Sequence, residues 1–209
     1  NPLAVGRAYT EATAWQYRFF VPHDVNGMIQ LFGGKEEFVA ALDDIFNTDA
    51  EIHGNLVDIT GLIGQYVHGN EPSHHIAYLY NYVGEPWKTQ KMSRRLLNEM
   101  YHPTPEGIIG NEDCGQMSAW YILSSMGLYS VCPGSNEYVL TTPLFEKVVV
   151  HLANGRTLTI LANDPQKNIY ITKVELNGKQ IDTNFITYDC LMGGGELRFT
   201  LSDKPNKSR

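Results

Sequence analysis

Residues 115–134 read Gly115-Gln-Met-Ser-Ala-Trp-Tyr-Ile-Leu-Ser-Ser-Met-Gly127-Leu-Tyr-Ser-Val-Cys-Pro-Gly134. The first half is apolar nearly all round, through Met117, Ala119, Trp120, Tyr121, Ile122 and Leu123. It predicts a buried helix over 115–126. Gly127 fits the position just past its end, where a left-handed residue closes the last turn. From about residue 130 onward the helical period is gone. This change divides the chain into a helical part, residues 1–132, and a strand-rich part, residues 133–209, and sets the fold class as α + β.

Toward the N-terminus the same helical period recurs. Residues 89–101 place Met92, Leu96, Leu97 and Met100 on one side of a helix that His102-Pro103 ends. Residues 35–47 follow a Gly33-Gly34 break and put Phe38, Leu42, Ile45 and Phe46 at i, i+4, i+7 and i+8. Residues 55–66 form a weaker helix, interrupted by Gly61 and Gly64. Ser73 stands where it would cap a segment carrying Ile76, Ala77, Leu79 and Tyr80. Helices of this length in succession imply an all-α toroid or bundle. Toward the C-terminus, 147–152 and 156–162 flank Ala153-Asn154-Gly155, and 170–176 and 179–181 flank Asn177-Gly178. Both read as hairpins. Residues 196–201 alternate Leu197, Phe199 and Leu201 inward. Five or more such strands predict an antiparallel β-sandwich.

The composition is that of an ordinary globular protein: 209 residues, 43% hydrophobic, 19% charged, formal net charge -7. With 16 Lys+Arg against 23 Asp+Glu and no basic run, it is not the composition of a nucleic-acid binder. No apolar stretch reaches the length of a membrane span. Cys114, Cys132 and Cys190 are too few and too scattered for a disulfide framework or a zinc ribbon. The chain opens Asn1-Pro2-Leu3 without a start methionine or a signal segment. A processed or excised piece is therefore expected, and the missing leader carries no information on compartment.

Three loop clusters hold the residue types that chemistry needs. In Tyr9-Thr-Glu-Ala-Thr-Ala-Trp-Gln-Tyr17, Glu11 sits among Tyr9, Trp15 and Tyr17. Aromatic rings stack on the apolar faces of sugars, and an apolar wall raises a carboxyl pKa; the plainer reading is a core aromatic patch with Glu11 at its rim. In His68-Gly-Asn-Glu-Pro-Ser-His-His75, the histidines allow zinc, but no His-x-x-x-His pair is present, and the oxygen donors Asn70 and Glu71 suit calcium better. The plainer reading is a polar turn with Pro72 at a helix start. In Gly110-Asn-Glu-Asp-Cys-Gly-Gln116, Asn111 or Asp113 serves as a helix N-cap with Glu112 favoured by the helix dipole, or the adjacent carboxylates share a base role. Two opposed carboxyls are what glycoside hydrolysis requires.

These stretches resemble the calcium-dependent exo-α-mannosidases of glycoside hydrolase family 92. The resemblance lies in residues 9–17 with Phe19-Phe-Val-Pro-His-Asp24, in His68-Gly-Asn-Glu-Pro72 with His74-His75 and Tyr78-Leu-Tyr-Asn-Tyr82, and in residues 110–120 with Gly127-Leu-Tyr129 and Pro133-Gly134. It implies that the helices are part of a catalytic (α/α)6 barrel, followed here by the β-sandwich. It further implies removal of terminal α-linked mannose, often α-1,2, from N-glycans or mannans with inversion. Calcium would contact sugar hydroxyls and assist ring distortion. By resemblance Glu11 is the general acid and Asp113 the base, with Glu112 or Asn111 close to it. Asn70 and Glu71 are calcium-site residues, and Trp15, His23 and Asp24 shape the sugar pocket. The family's usual pair of aspartates is Glu112-Asp113 here, and its usual Glu-Gly-Asn is Glu11-Ala12-Thr13. Members are much longer than this chain, so the missing N-terminal part of the enzyme is an expected partner beside the α-mannoside substrate. The resemblance places such an enzyme in the periplasm, at the surface or outside a bacterium. The alternative is a non-catalytic carbohydrate-binding or scaffold fragment of the same fold.

Overall fold

The structure, a computed structural model, describes residues 1–6, 8–54 and 59–207. It opens with three helices: α1 (Ala14–Tyr17), α2 (Val25–Leu31) and α3 (Lys35–Asn47). In α3 the expected stripe of Phe38, Leu42, Ile45 and Phe46 is buried. The helix expected over 55–66 is corrected. Residues 55–58 lie outside the described residues, and β1 (Leu62–Ile63) and β2 (Tyr66–Val67) form a small hairpin. The reason is local. Gly64 has φ 59°, and a Cβ there would stand 2.5 Å from the Ile45 carbonyl oxygen, so the chain turns where helix would need room.

Two 3-10 segments follow, Glu71–Ser73 and Ile76–Val83. Ser73 does not cap the second: its Oγ accepts the Val67 N–H at 3.2 Å. α4 (Pro86–Glu99) starts on Pro86, which supplies the helical φ and has no N–H to leave unpaired. α5 (Gln116–Ser125) buries Met117 and Trp120, but Ile122 is 54% exposed, so the expectation of burial all round holds on one side only.

After α5 the strands form a three-stranded sheet of order β3-β4-β9 and a five-stranded sheet of order β5-β6-β10-β7-β8. The first joins Leu128–Tyr129, Glu137–Leu140 and Phe185–Thr187. The second joins β5 (Lys147–His151), β6 (Thr157–Ala162), β7 (Tyr170–Leu176), β8 (Lys179–Gln180) and β10 (Gly195–Ser202), with the short helix α6 (Tyr188–Met192) between β9 and β10. Both predicted hairpins form. The all-antiparallel expectation is corrected in one ladder: β10 pairs parallel to β6 while pairing antiparallel to β7. The chain leaves β6, builds the β7–β8 hairpin outside it, and returns to fill the gap, which reverses the sense of one neighbour.

Among the described residues two apolar cores result. One gathers Phe19, Phe38, Leu42, Tyr66, Tyr78, Leu96 and Trp120. The other gathers Leu158, Ile160, Val174, Leu197 and Phe199 with Leu128, Leu140 and Ile186 of the smaller sheet. α4 touches both and joins them through polar side chains. Arg94 donates to the Pro165 and Pro143 carbonyls, each at 2.6 Å. Gln90 Oε1 accepts the Ile171 N–H at 3.0 Å, and the Ser93 and Thr141 hydroxyls meet at 2.7 Å.

Candidate active site

Glu11 stands at the edge of a buried platform. Ala12, Thr13 and Gln16 are buried beneath it. Thr13 caps α1: its Oγ1 accepts the Trp15 N–H at 3.2 Å, and Gln16 Oε1 returns to the Thr13 N–H at 2.7 Å. Gln16 Nε2 also donates to the Gln65 carbonyl, which ties this turn to the β1–β2 hairpin. Glu11 is exposed and has φ 54°, in the left-handed region that a residue with a Cβ adopts at a cost. Its carbonyl accepts Asn70 Nδ2 at 2.8 Å, and Asn70 is itself buried.

The second and third loops meet backbone to backbone. A Cβ on Gly110 would stand 2.5 Å from the Gly69 carbonyl oxygen and 2.8 Å from its Cα. This contact brings Glu71 against Asp113. The Glu71 carboxyl is raised above the usual carboxylate range by burial first, then by the hydrogen bond and charge of Asp113 and the charge of Glu11. Three carboxyls thus converge from positions 11, 71 and 113. Asp113 and Cys114 have φ 51° and 57°, and they lead into Gly115, also left-handed, at the N-cap of α5. The N-cap position of α5 falls to Gly115 rather than to Asn111 or Asp113, and Glu112 Oε1 accepts the Ser118 N–H at 3.1 Å. Hydrogen bonds from Ser118 and Gly115 hold the Glu112 carboxylate below its ordinary pKa. Glu112 therefore serves the helix, and Asp113 faces Glu71.

The histidines are spent on protein partners. His75 Nε2 donates to the Phe19 carbonyl at 2.7 Å, and burial holds its pKa down to about 4. His74 Nε2 donates to the His68 carbonyl at 2.9 Å, its Nδ1 accepts Gln116 Nε2 at 3.2 Å, and burial likewise lowers it to about 4. His68 lies between the Tyr66 and Tyr101 hydroxyls, at 2.9 and 2.8 Å, edge-on to Trp120. The Tyr101 hydroxyl gives its proton to the Met117 carbonyl, so it accepts from His68 Nε2–H and leaves Nδ1 to accept from Tyr66. Zinc ligation would cost these bonds. Among the described residues no group of three His, Cys, Asp or Glu side chains is placed to hold one ion. The Glu11, Glu71 and Asp113 carboxyls approach one another without forming such a group, though their oxygens are of the type a hard cation takes.

The remaining predicted site residues are placed as follows. Trp15 is half-buried in α1 with the Arg18 guanidinium 4.3 Å above its ring, so one face is already covered. Asp24 is the N-cap of α2, its Oδ1 accepting the Gly27 N–H at 2.8 Å. His23 and Asn111 are exposed. Among the described residues no hydrogen bond joins His23 or Asp24 to the three carboxyls. Sequence reasoning missed the pairing of Glu71 with Asp113 and the roles of Gln116 and Tyr101. Only a map of which loops touch reveals them.

Residues 1–203 match the profile of the glycosyl hydrolase family 92 catalytic domain. The chain belongs to glycoside hydrolase family 92. It superposes on a family 92 α-mannosidase of Bacteroides thetaiotaomicron with TM-score 0.91 and 43% identity, over 100% of this chain and 27% of that one. A second structure of that enzyme, in complex with mannoimidazole, matches with TM-score 0.88 and 44% identity over 95% of this chain and 26% of that one. The inverting family 92 mannosidase of the same organism gives 0.85 and 38%, over 100% and 30%. An uncharacterized secreted glycosidase of Arthroderma benhamiae is 34% identical over 195 residues, 91% of this chain and 23% of that protein. The family 92 chain described here thus spans between a quarter and a third of the solved relatives and about a quarter of the curated one.

Proposed function

We propose that this chain is the part of a family 92 enzyme that carries both catalytic carboxyls. The whole enzyme, which includes a longer N-terminal part, hydrolyses terminal α-linked mannose, of the α-1,2 type, in N-glycans or mannans with inversion. The observation that carries the reading is the convergence of Glu11, Glu71 and Asp113, with Glu11 and Asp113 both on left-handed backbone. The mannosidase and inverting-mannosidase relatives support the substrate and the stereochemistry.

In this mechanism Glu11 protonates the departing glycosidic oxygen and Asp113 takes a proton from the attacking water. Inversion needs these two carboxyls about 6.5–9.5 Å apart, so that the water fits on the far face of the sugar. Glu71 favours that assignment. Its carboxyl hydrogen-bonds the Asp113 carboxyl and so fixes that group at the site. Glu112 is the weaker candidate base, because its carboxylate is taken by the N–H groups at the start of α5. Calcium fits the oxygen donors: Asn70 and Glu71 would hold it with loop carbonyls, and when bound it would polarise sugar hydroxyls and favour a flattened ring. The helices form part of an (α/α)6 barrel closed by the rest of the enzyme. Export to the periplasm, surface or medium of a bacterium accords with the secreted relative and the source of the solved ones.

The test is Glu11→Gln in the whole enzyme. Activity on α-mannobiose, whose leaving group is poor, is expected to fall by about 10²–10⁴-fold, while aryl mannosides with good leaving groups lose much less. Equal loss on both removes the acid role. Chelation is expected to abolish turnover, with calcium restoring it and zinc failing to.

A further inference from the structure

We propose that His74 is a positioning residue that fixes Asp113 against Glu71, a role that rests on the reading of Asp113 as the base. His74 is 2% exposed and bonds to every segment involved. Its N–H donates to the Glu71 carbonyl at 3.0 Å. Its own carbonyl accepts Trp120 Nε1 of α5 at 3.1 Å. Its Nδ1 accepts Gln116 Nε2, and its Nε2–H donates to the His68 carbonyl. Gln116 closes the circuit: its N–H donates to the Asp113 carbonyl at 3.2 Å. His74 thereby joins the turn that carries Glu71, through its backbone, to the turn that carries Asp113, through its imidazole and Gln116.

The need for such a tie follows from the backbone. Asp113 and Cys114 are both left-handed, so no helical or strand ladder fixes the base, and the Asp113 carbonyl is held from α5 by Gln116. Only a neutral imidazole protonated on Nε2 can donate to His68 and accept from Gln116 at once. Lysine, arginine or an aliphatic residue has no such pair of atoms at this spacing. A base displaced by about 1 Å costs up to 10²-fold in rate with little effect on ground-state binding.

The experiment compares Gln116→Met, His74→Gln, their double variant, His74→Asn and Asp113→Asn in the whole enzyme on α-mannobiose. Gln116→Met and His74→Gln are each expected to lower kcat about 10- to 100-fold with KM nearly unchanged. The double variant should be no worse than the poorer single one, because both cut the same tie. His74→Asn offers Oδ1 where Nδ1 stood and should recover part of kcat. Gln116 is only half-buried, so Gln116→Met carries the test if the His74 variants fail to fold. A folded Gln116→Met enzyme with native kcat, or additive losses in the double variant, overturns the positioning role. Turnover retained in Asp113→Asn instead overturns the base assignment, and the positioning role with it.

Discussion

Glu11, Asp113 and Cys114 share a backbone conformation that side chains with a Cβ adopt at a cost of about 1–2 kcal/mol each. Such strain persists where the surroundings over-determine it, and here the surroundings are the Thr13 cap, the Asn70 clamp and the start of α5. Cys114 bears no assigned role, so it separates strain from chemistry. Cys114→Gly is expected to raise stability by about 0.5–1 kcal/mol and leave kcat unchanged, whereas Cys114→Val should lower it by about 1–2 kcal/mol; urea melts and initial rates check both. His75 sets an acid limit. Its pKa is about 4 when folded and 6.5 when free, so the unfolded chain binds the extra proton first. The stability that His75 contributes is complete above pH 6.5 and is lost as pH falls toward 4, amounting to about 3 kcal/mol. Chemical denaturation across that window should show the slope, and His75→Gln should reduce it, leaving the part due to His74.

Secondary elements were legible where packing repeats a period and illegible where it does not. α3 and the two hairpins of the larger sheet stand where the apolar stripes and the Asn-Gly turns put them. The hairpin at 62–67 was not readable, because two glycines that weaken a helix pattern do not say what replaces it. The parallel β6–β10 ladder depends on which strand returns to which gap, and alternation is silent on that. At the site, the motifs marked Glu11, Glu71 and Asp113 as separate points; their meeting depends on Gly69 lying against Gly110, a contact between distant turns. Gly110→Ala is therefore expected to push those turns apart and cut kcat/KM by 10-fold or more in a protein that still folds, roughly the effect of a 1 Å misplacement. Circular dichroism beside steady-state rates distinguishes this from unfolding. At the seam between the two cores, Arg94→Met strands the Pro143 and Pro165 carbonyls between α4 and the sheet. It should cost about 2–3 kcal/mol without changing KM.

The described residues form two cores sewn together by α4, bearing carboxyl-rich turns on the helical side. The 209-residue chain alone is expected to turn over α-mannobiose at under about 1% of the rate of a full-length enzyme, since orienting contacts to the sugar are worth that much. Reducing-sugar release by the purified chain measures this. Ile108 and Ile122 lie exposed near the Asp113 turn, apolar surface that a longer chain has the means to cover.

The position of β10 carries a consequence for biosynthesis. The central strand of the larger sheet, with Leu197, Phe199 and Leu201 at its heart, is the last of its five strands to leave the ribosome. Until it emerges, β6 and β7 present bare edges to each other and to any neighbouring nascent chain. A premature stop codon just upstream of Gly195 would leave a sheet with a slot through its middle, so synthesis of β10 decides whether this sheet closes or clumps.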